Sequence, residues 1–170
     1  QDFGDLIANG DAPGGFSNST RGVLGGGYEP ANDNTITFVT ISTLGNAQDF
    51  GDLTLGRYSI AGGVSNKTRG LFGGGYTRSP APVGNQDVID YVTISSGGNA
   101  MNFGDLLETR GTASGVSNCI RGVYGGGYTS PTNRIQYLQI ATEGNTVDFG
   151  DLSVRSGGKG AAASNAHGGL

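Results

Sequence analysis

Acidic residues three apart are the side chains of this sequence best spaced for chemistry. Asp2 and Asp5, Asp49 and Asp52, and Asp148 and Asp151 each lie in the string DFGDL, and a related NFGDL starts at Asn102. Two carboxylates at that spacing could ligate a hard cation through oxygen, but calcium takes roughly six to eight oxygens and one pair supplies two. Turn and strand-end hydrogen bonding is the stronger reading. Asp-Phe-Gly is also the magnesium-binding string of protein kinases. Here it recurs without a glycine-rich nucleotide loop or a catalytic-loop motif, so a kinase is set aside. His167 is the only histidine and Cys119 the only cysteine. No Ser-His-Asp, Cys-His or multi-histidine metal constellation can be assembled from them, nor can an intrachain disulfide. We therefore expect no enzyme, no catalytic residues, no metal site and no cofactor.

The elements that position these residues are set by repetition. DFGDL or NFGDL starts at Asp2, Asp49, Asn102 and Asp148; SN at Ser17, Ser65, Ser117 and Ser164; GGGY at Gly25, Gly73 and Gly125. An apolar string follows each GGGY: ITFVTI from Ile36, IDYVTI from Ile89 and IQYLQI from Ile135. Each unit therefore offers four short strand candidates rich in β-branched and aromatic residues, separated by the Gly, Asn, Ser and Pro that make turns. No segment carries an apolar stripe at helical spacing. Four strands in a unit of about 47 residues fall in the range of propeller blades, and the fold expected is all-β, a β-propeller.

Composition narrows the function classes. Among 170 residues, 34 are glycine and 35% are apolar, so few large side chains are available to fill a core. With a net charge of −4 and no run of Lys or Arg, nucleic acid is not an expected partner. No apolar run approaches the roughly 20 residues that span a bilayer as a helix, so membrane insertion is not expected either.

Paired glycines closing one strand, an aromatic in the next, another at the unit's end and an Arg soon after resemble the kelch repeat. Here they are Gly74, Gly75, Tyr91, Phe103 and Arg110, recurring as Gly26, Gly27, Phe38, Phe50 and Arg57. Phe stands where kelch has Trp, and this chain has no Trp. RGVLGGGY, IDYVTI, GNAQDFGDL and the closing SNAHGGL resemble more specifically the glycine-rich kelch-like arrays of tailed bacteriophages, cyanophages among them. The resemblance covers the whole chain. It implies one kelch-like domain over 1–170, with whole units at about 14–53, 61–106 and 113–152 and an incomplete unit made of 1–6 and 160–170. It also implies a virion protein: a tail-fibre or appendage part that presents loops to a host-surface glycan. The alternative is a purely structural decoration or assembly protein without a host ligand. Partners would be other virion proteins or copies of itself. The absence of an initiator Met leads us to expect a piece of a longer or processed chain, and the divided unit leads us to expect association through the incomplete blade.

Three consecutive glycines cost backbone entropy unless something must approach closely. Gly25, Gly26 and Gly27, with Gly73, Gly74 and Gly75 and Gly125, Gly126 and Gly127, are expected at crowded contacts between units. Phe50, Phe103 and Phe149, with Phe3 as a fourth, are expected to fill the space. Arg21, Arg69 and Arg121, and Arg57, Arg110 and Arg155, are expected to bond blade-end carbonyls or the recurring aspartates. Function should lie where the repeat varies, in the loops EPANDN from Glu29, TRSPAPVGNQD from Thr77 and TSPTNR from Thr129. Tyr28, Tyr76 and Tyr128, which open those loops, and Asn85 and Asn133 within them are the candidate ligand-binding residues.

Overall fold

The architecture was read from a computed structural model, which describes residues 2–7, 10–78, 82–128 and 132–157. The repeat becomes twelve strands: β1 (Gly14–Ser17), β2 (Arg21–Tyr28), β3 (Asn32–Thr40), β4 (Gln48–Asp52), β5 (Ala61–Ser65), β6 (Arg69–Thr77), β7 (Gly84–Thr93), β8 (Met101–Asp105), β9 (Ser114–Ser117), β10 (Arg121–Gly125), β11 (Thr132–Gln139) and β12 (Val147–Ser156). They form three antiparallel four-stranded sheets, each in sequence order. No helix occurs among the described residues. The sheets pack in series, with β5 between β1 and β9. The C-terminal part of the expected incomplete unit, 160–170, with His167, lies outside the described residues.

Each motif has a local cause. In S-N, the Asn18 side-chain oxygen accepts from the backbone N–H of Thr20 at 2.9 Å and of Arg21 at 2.8 Å, closing the β1–β2 turn, and Asn66 and Asn118 do the same. In D-F-G, the Asp49 carboxylate accepts from the Gly51 N–H at 3.1 Å, a turn bond repeated by Asp148 on Gly150. Asn99, of the G-N string, accepts the Asp52 N–H of the preceding sheet at 3.1 Å, while Gly98 and Ala100 donate to Phe50 and Asp52 carbonyls at 2.6 and 2.8 Å. G-N and D-F-G-D-L are thus the two halves of one joint between sheets.

The core lies at those joints. Phe16, Ile36, Phe50, Leu53, Ile60 and Phe72 meet between the first and second sheets; Val64, Leu71, Ile89, Phe103, Leu106 and Tyr124 meet between the second and third. The triple glycine is crowded, but not by the rings expected. A Cβ on Gly25 would lie 2.7 Å from the Phe72 ring, and one on Gly73 2.8 Å from the Tyr124 ring. Phe50 and Phe103 instead stack edge-on with Phe38 and Tyr91 of their own sheets, Phe149 does so with Tyr137 and is exposed, and Phe3 is exposed. The middle glycine makes a bulge: Gly26, Gly74 and Gly126 have φ of 70°, 59° and 67°, and the pairing register slips beside Gly26 and Gly74. The knob-and-socket arrangement runs both ways, since Phe16 fills the space over Gly70 and Val64 that over Gly122.

Arginines lock the joints. Arg57, fully buried, leaves the first sheet and donates to the Gly74 carbonyl at 2.7 Å and the Phe72 carbonyl at 3.2 Å, and it pairs with buried Asp90 at 2.9 Å. Arg110 reaches the Gly126 carbonyl at 2.8 Å and pairs with Glu108. Arg21 and Arg69 reach the carbonyls of Ile94 and Ile140 in the next sheet, at 2.7 and 3.3 Å. Arg155 departs from this scheme. It falls one residue earlier after DFGDL than Arg57 or Arg110, stays in the lengthened β12 and is exposed.

Residues 2–6, expected as a lone fourth strand, are not in a strand, because no third strand of their own sheet pairs with them. They nonetheless make the joint: Gly45 and Ala47 donate to the Phe3 and Asp5 carbonyls, each at 2.9 Å, and Asn46 accepts the Asp5 N–H at 3.0 Å.

Candidate functional site

The β2–β3 and β6–β7 loops converge above the joint of the first two sheets. Tyr58 enters there because it follows Arg57 out of the first sheet and forms a two-bond antiparallel bridge with Tyr76, N–H to carbonyl at 3.1 and 2.7 Å. Its ring lies 5.2 Å from Tyr28 and 5.6 Å from Tyr76, in tilted and edge-on contacts. Arg78 completes the cluster, its guanidinium 4.6 Å from the Tyr28 ring centre and 5.6 Å from that of Tyr58, with its Nε donating to the Tyr58 hydroxyl at 2.9 Å. Asn32 fixes Arg78 from across the joint: its side-chain amide donates to the Arg78 carbonyl at 2.7 Å and accepts the Arg78 N–H at 3.0 Å. The two loops are therefore tied by an amide with both of its bonds made.

Arg78 is exposed and the three tyrosines are half-buried, so the cluster is an amphipathic platform at the loop end of the molecule. Phenol oxygens of Tyr28 and Tyr58 hold the Arg78 guanidinium above its usual, already high, range; it stays charged at any physiological pH. Ring faces and a fixed cation can meet a pyranose and its hydroxyl or carboxylate groups.

The candidate residues divide. Tyr28 and Tyr76 come together through Tyr58. Tyr128 belongs to the next joint, where its backbone bridges Gly111 and its side chain is 68% exposed. Asn85 pairs across from Tyr76, with its side-chain oxygen over Gly111, 2.7 Å from where a Cβ would stand. Asn133 is half-buried on β11, in the third sheet. Residues 79–81 and 129–131 of the two longer loops lie outside the described residues. Tyr58, Arg78 and Asn32 were not among the residues singled out from sequence. The signal for Tyr58 was a departure from repetition, since Arg57-Tyr58 in one unit becomes Arg110-Gly111 in the next.

Among the described residues, no three His, Cys, Asp or Glu side chains come together as a metal cluster. Compared with known proteins, the chain matches no protein-family model and no curated protein.

Proposed function

We propose that this chain is a recognition module of a bacteriophage virion, a tail-fibre or appendage part built as a kelch-like propeller whose loop end binds a host-surface glycan. The observation that carries the recognition half is the Tyr28–Tyr58–Tyr76 platform with Arg78 held over it, at the end where the repeat varies. The virion half rests on the resemblance of the repeated strings to phage arrays. Rigid rings and a pre-positioned guanidinium lose little freedom on binding, which suits a weak saccharide contact made many times over on a particle.

Glycan-array binding of the purified chain tests this reading. Arg78→Ala and Tyr58→Ala should each lower the signal about tenfold or more, one good contact's worth, while circular dichroism stays unchanged. Binding that ignores both substitutions would remove the platform from the account. Absence of binding to any glycan, with the chain located along a shell or tube by cryo-electron microscopy of particles, would favour the second reading, a structural assembly protein. That reading draws on the exposed face of the third sheet, where Phe149 and Val154 are exposed.

A further inference from the structure

The two joints between sheets use equivalent residues of the repeat, and the outer faces of the first and third sheets carry the same positions. Leu24, Phe72 and Tyr124 occupy equivalent positions. Phe72 fills the socket at Gly25 and Tyr124 that at Gly73, whereas Leu24 is half-buried and borders an open apolar groove with Gly22, Phe38 and Ala47 on the first sheet. On the third sheet the matching socket is open among the described residues, where a Cβ on Gly125 would meet only Ile135 of its own sheet, at 3.9 Å.

The same holds at the other contacts. Gly51 and Gly104 are pressed under carbonyls of the next sheet, 2.5 and 2.4 Å from where a Cβ would lie; Gly150 has nothing within 4 Å among the described residues. Phe50 and Phe103 are 6% and 3% exposed, but Phe149 is 55% exposed. Gly70 and Gly122 receive Phe16 and Val64, while Gly22 of the first sheet meets, among the described residues, only Val39, its own pairing partner. Val116, the third-sheet equivalent of Phe16 and Val64, is half-buried.

We propose that the outward face of the third sheet docks onto the first sheet of a second copy of this chain, displacing that copy's residues 2–6. The face is continuous in design with the two joints already formed, and the open sockets at Gly125 and Gly22 are matched by the half-buried side chains of Leu24 and Val116 at the opposite end of the row of sheets. Residues 2–6 and 148–152 are both DFGDL. The N-terminal string makes the three hydrogen bonds of the joint but leaves Phe3 39% and Leu6 56% exposed, where Leu53 of the complete joint is 3% exposed. A copy's third sheet would make the same hydrogen bonds and add the apolar packing, so exchange is favourable. Residues 158–170 are the competing occupant. They repeat S-N and G-G-L but lack a G-N string like the one whose Gly45–Ala47 turn receives DFGDL. The interface is head-to-tail, a geometry that closes into a ring or extends as a filament. It is independent of the glycan reading, since none of its residues belongs to the tyrosine platform.

Sedimentation velocity on the full chain tests the proposal. The intact protein should run as two or more protomers at micromolar concentration. Gly125→Leu, which fills the open socket, and Leu24→Asp, which spoils the opposite side chain, should each run as a monomer; mixed in equal amounts, they should recover a two-protomer species through the one joint left intact. Gly4→Val should strengthen association, because its Cβ would lie 2.4 Å from the Gly45 carbonyl and expel the N-terminal string. That measurement stands even if the other variants fold poorly. A monomer for both the intact chain and Gly4→Val would overturn the proposal. So would association indifferent to Gly125→Leu, or association that appears only once residues 158–170 are removed, which would make that segment the occupant.

Discussion

At the scale of the residue, the triple glycine is three demands met in succession. In the first two sheets the first glycine is a socket for a ring of the next sheet and the second a left-handed bulge, and in the second and third sheets the third glycine passes closely under a carbonyl of another segment of the chain, Gly75 under Tyr58 and Gly127 under Gly111. Gly74 shows how little room is left: it has φ 59°, and a Cβ there would stand 2.5 Å from the Arg110 carbonyl. Gly74→Val should cost about 3 kcal/mol or more, or abolish folded protein; a loss under about 0.5 kcal/mol in urea unfolding would show that the joint yields. Tyr124 is the opposite case, a residue with more than the fold needs. Its hydroxyl is buried without a hydrogen-bond partner among the described residues, and the equivalent position in the second sheet is Phe72. Tyr124→Phe should therefore stabilise by about 1 kcal/mol. Burial also pushes the Tyr124 phenol well above its ordinary value near 10. The neutral phenol's contribution is complete below about pH 10 and declines above it, where the unfolded chain ionises first. Tyr124→Phe should flatten that alkaline decline, and an equal decline in both proteins would count against it.

At the scale of the element, the segment after each fourth strand carries an arginine into the next sheet, and the two crossings differ in how charge is met. Arg57 faces Asp90, both wholly buried; at the equivalent of Asp90 stands neutral Gln136, and Arg110 relies on Glu108, which is 41% exposed. Asp90→Asn should cost about 3 kcal/mol by leaving a buried cation unmatched, and Glu108→Gln less than about 1 kcal/mol, because solvent screens that pair. Comparable losses in the two variants would mean that burial is not what sets the value. These crossings also show what repetition made legible. Among the described residues each repeated string is a strand with its turn or one half of a joint, so the four strands of each whole unit and their order could be read directly, while the N-terminal DFGDL, expected as a strand, makes only its half of a joint. The partner of each glycine could not. Phe72 and Gly73 are neighbours in sequence, yet successive side chains of a strand face opposite ways, so one serves the joint before it and the other the joint after it. The tyrosine platform was half legible for a related reason. Tyr28 and Tyr76 recur in the repeat, but Tyr58 and Arg78 interrupt it, and only the three-dimensional joint brings them beside Tyr28.

At the scale of the whole molecule, stability should be graded along the row of sheets. In a repeat array each unit gains from its own ladder and from its nearest neighbours. The second sheet has a complete joint on both sides, and Leu71, Phe72 and Ile89 are wholly buried within it; Val123 and Ile135 of the third sheet, equivalent to Leu71 and Ile89, are only half-buried. Amide exchange should therefore be slowest in β6 and β7 and faster in β10 and β11, with the ratio set by local rather than global opening. Head-to-tail joining adds a second expectation. Raising the protein concentration should slow exchange in β10–β12 of the intact chain, because the third sheet then acquires the neighbour that the second already has. Gly125→Leu should abolish that dependence while leaving β6 and β7 as slow as before. Equal protection across all three sheets at low concentration would contradict the graded array. Protection of β10–β12 that ignores both concentration and Gly125→Leu would place their stabilising contact within a single chain.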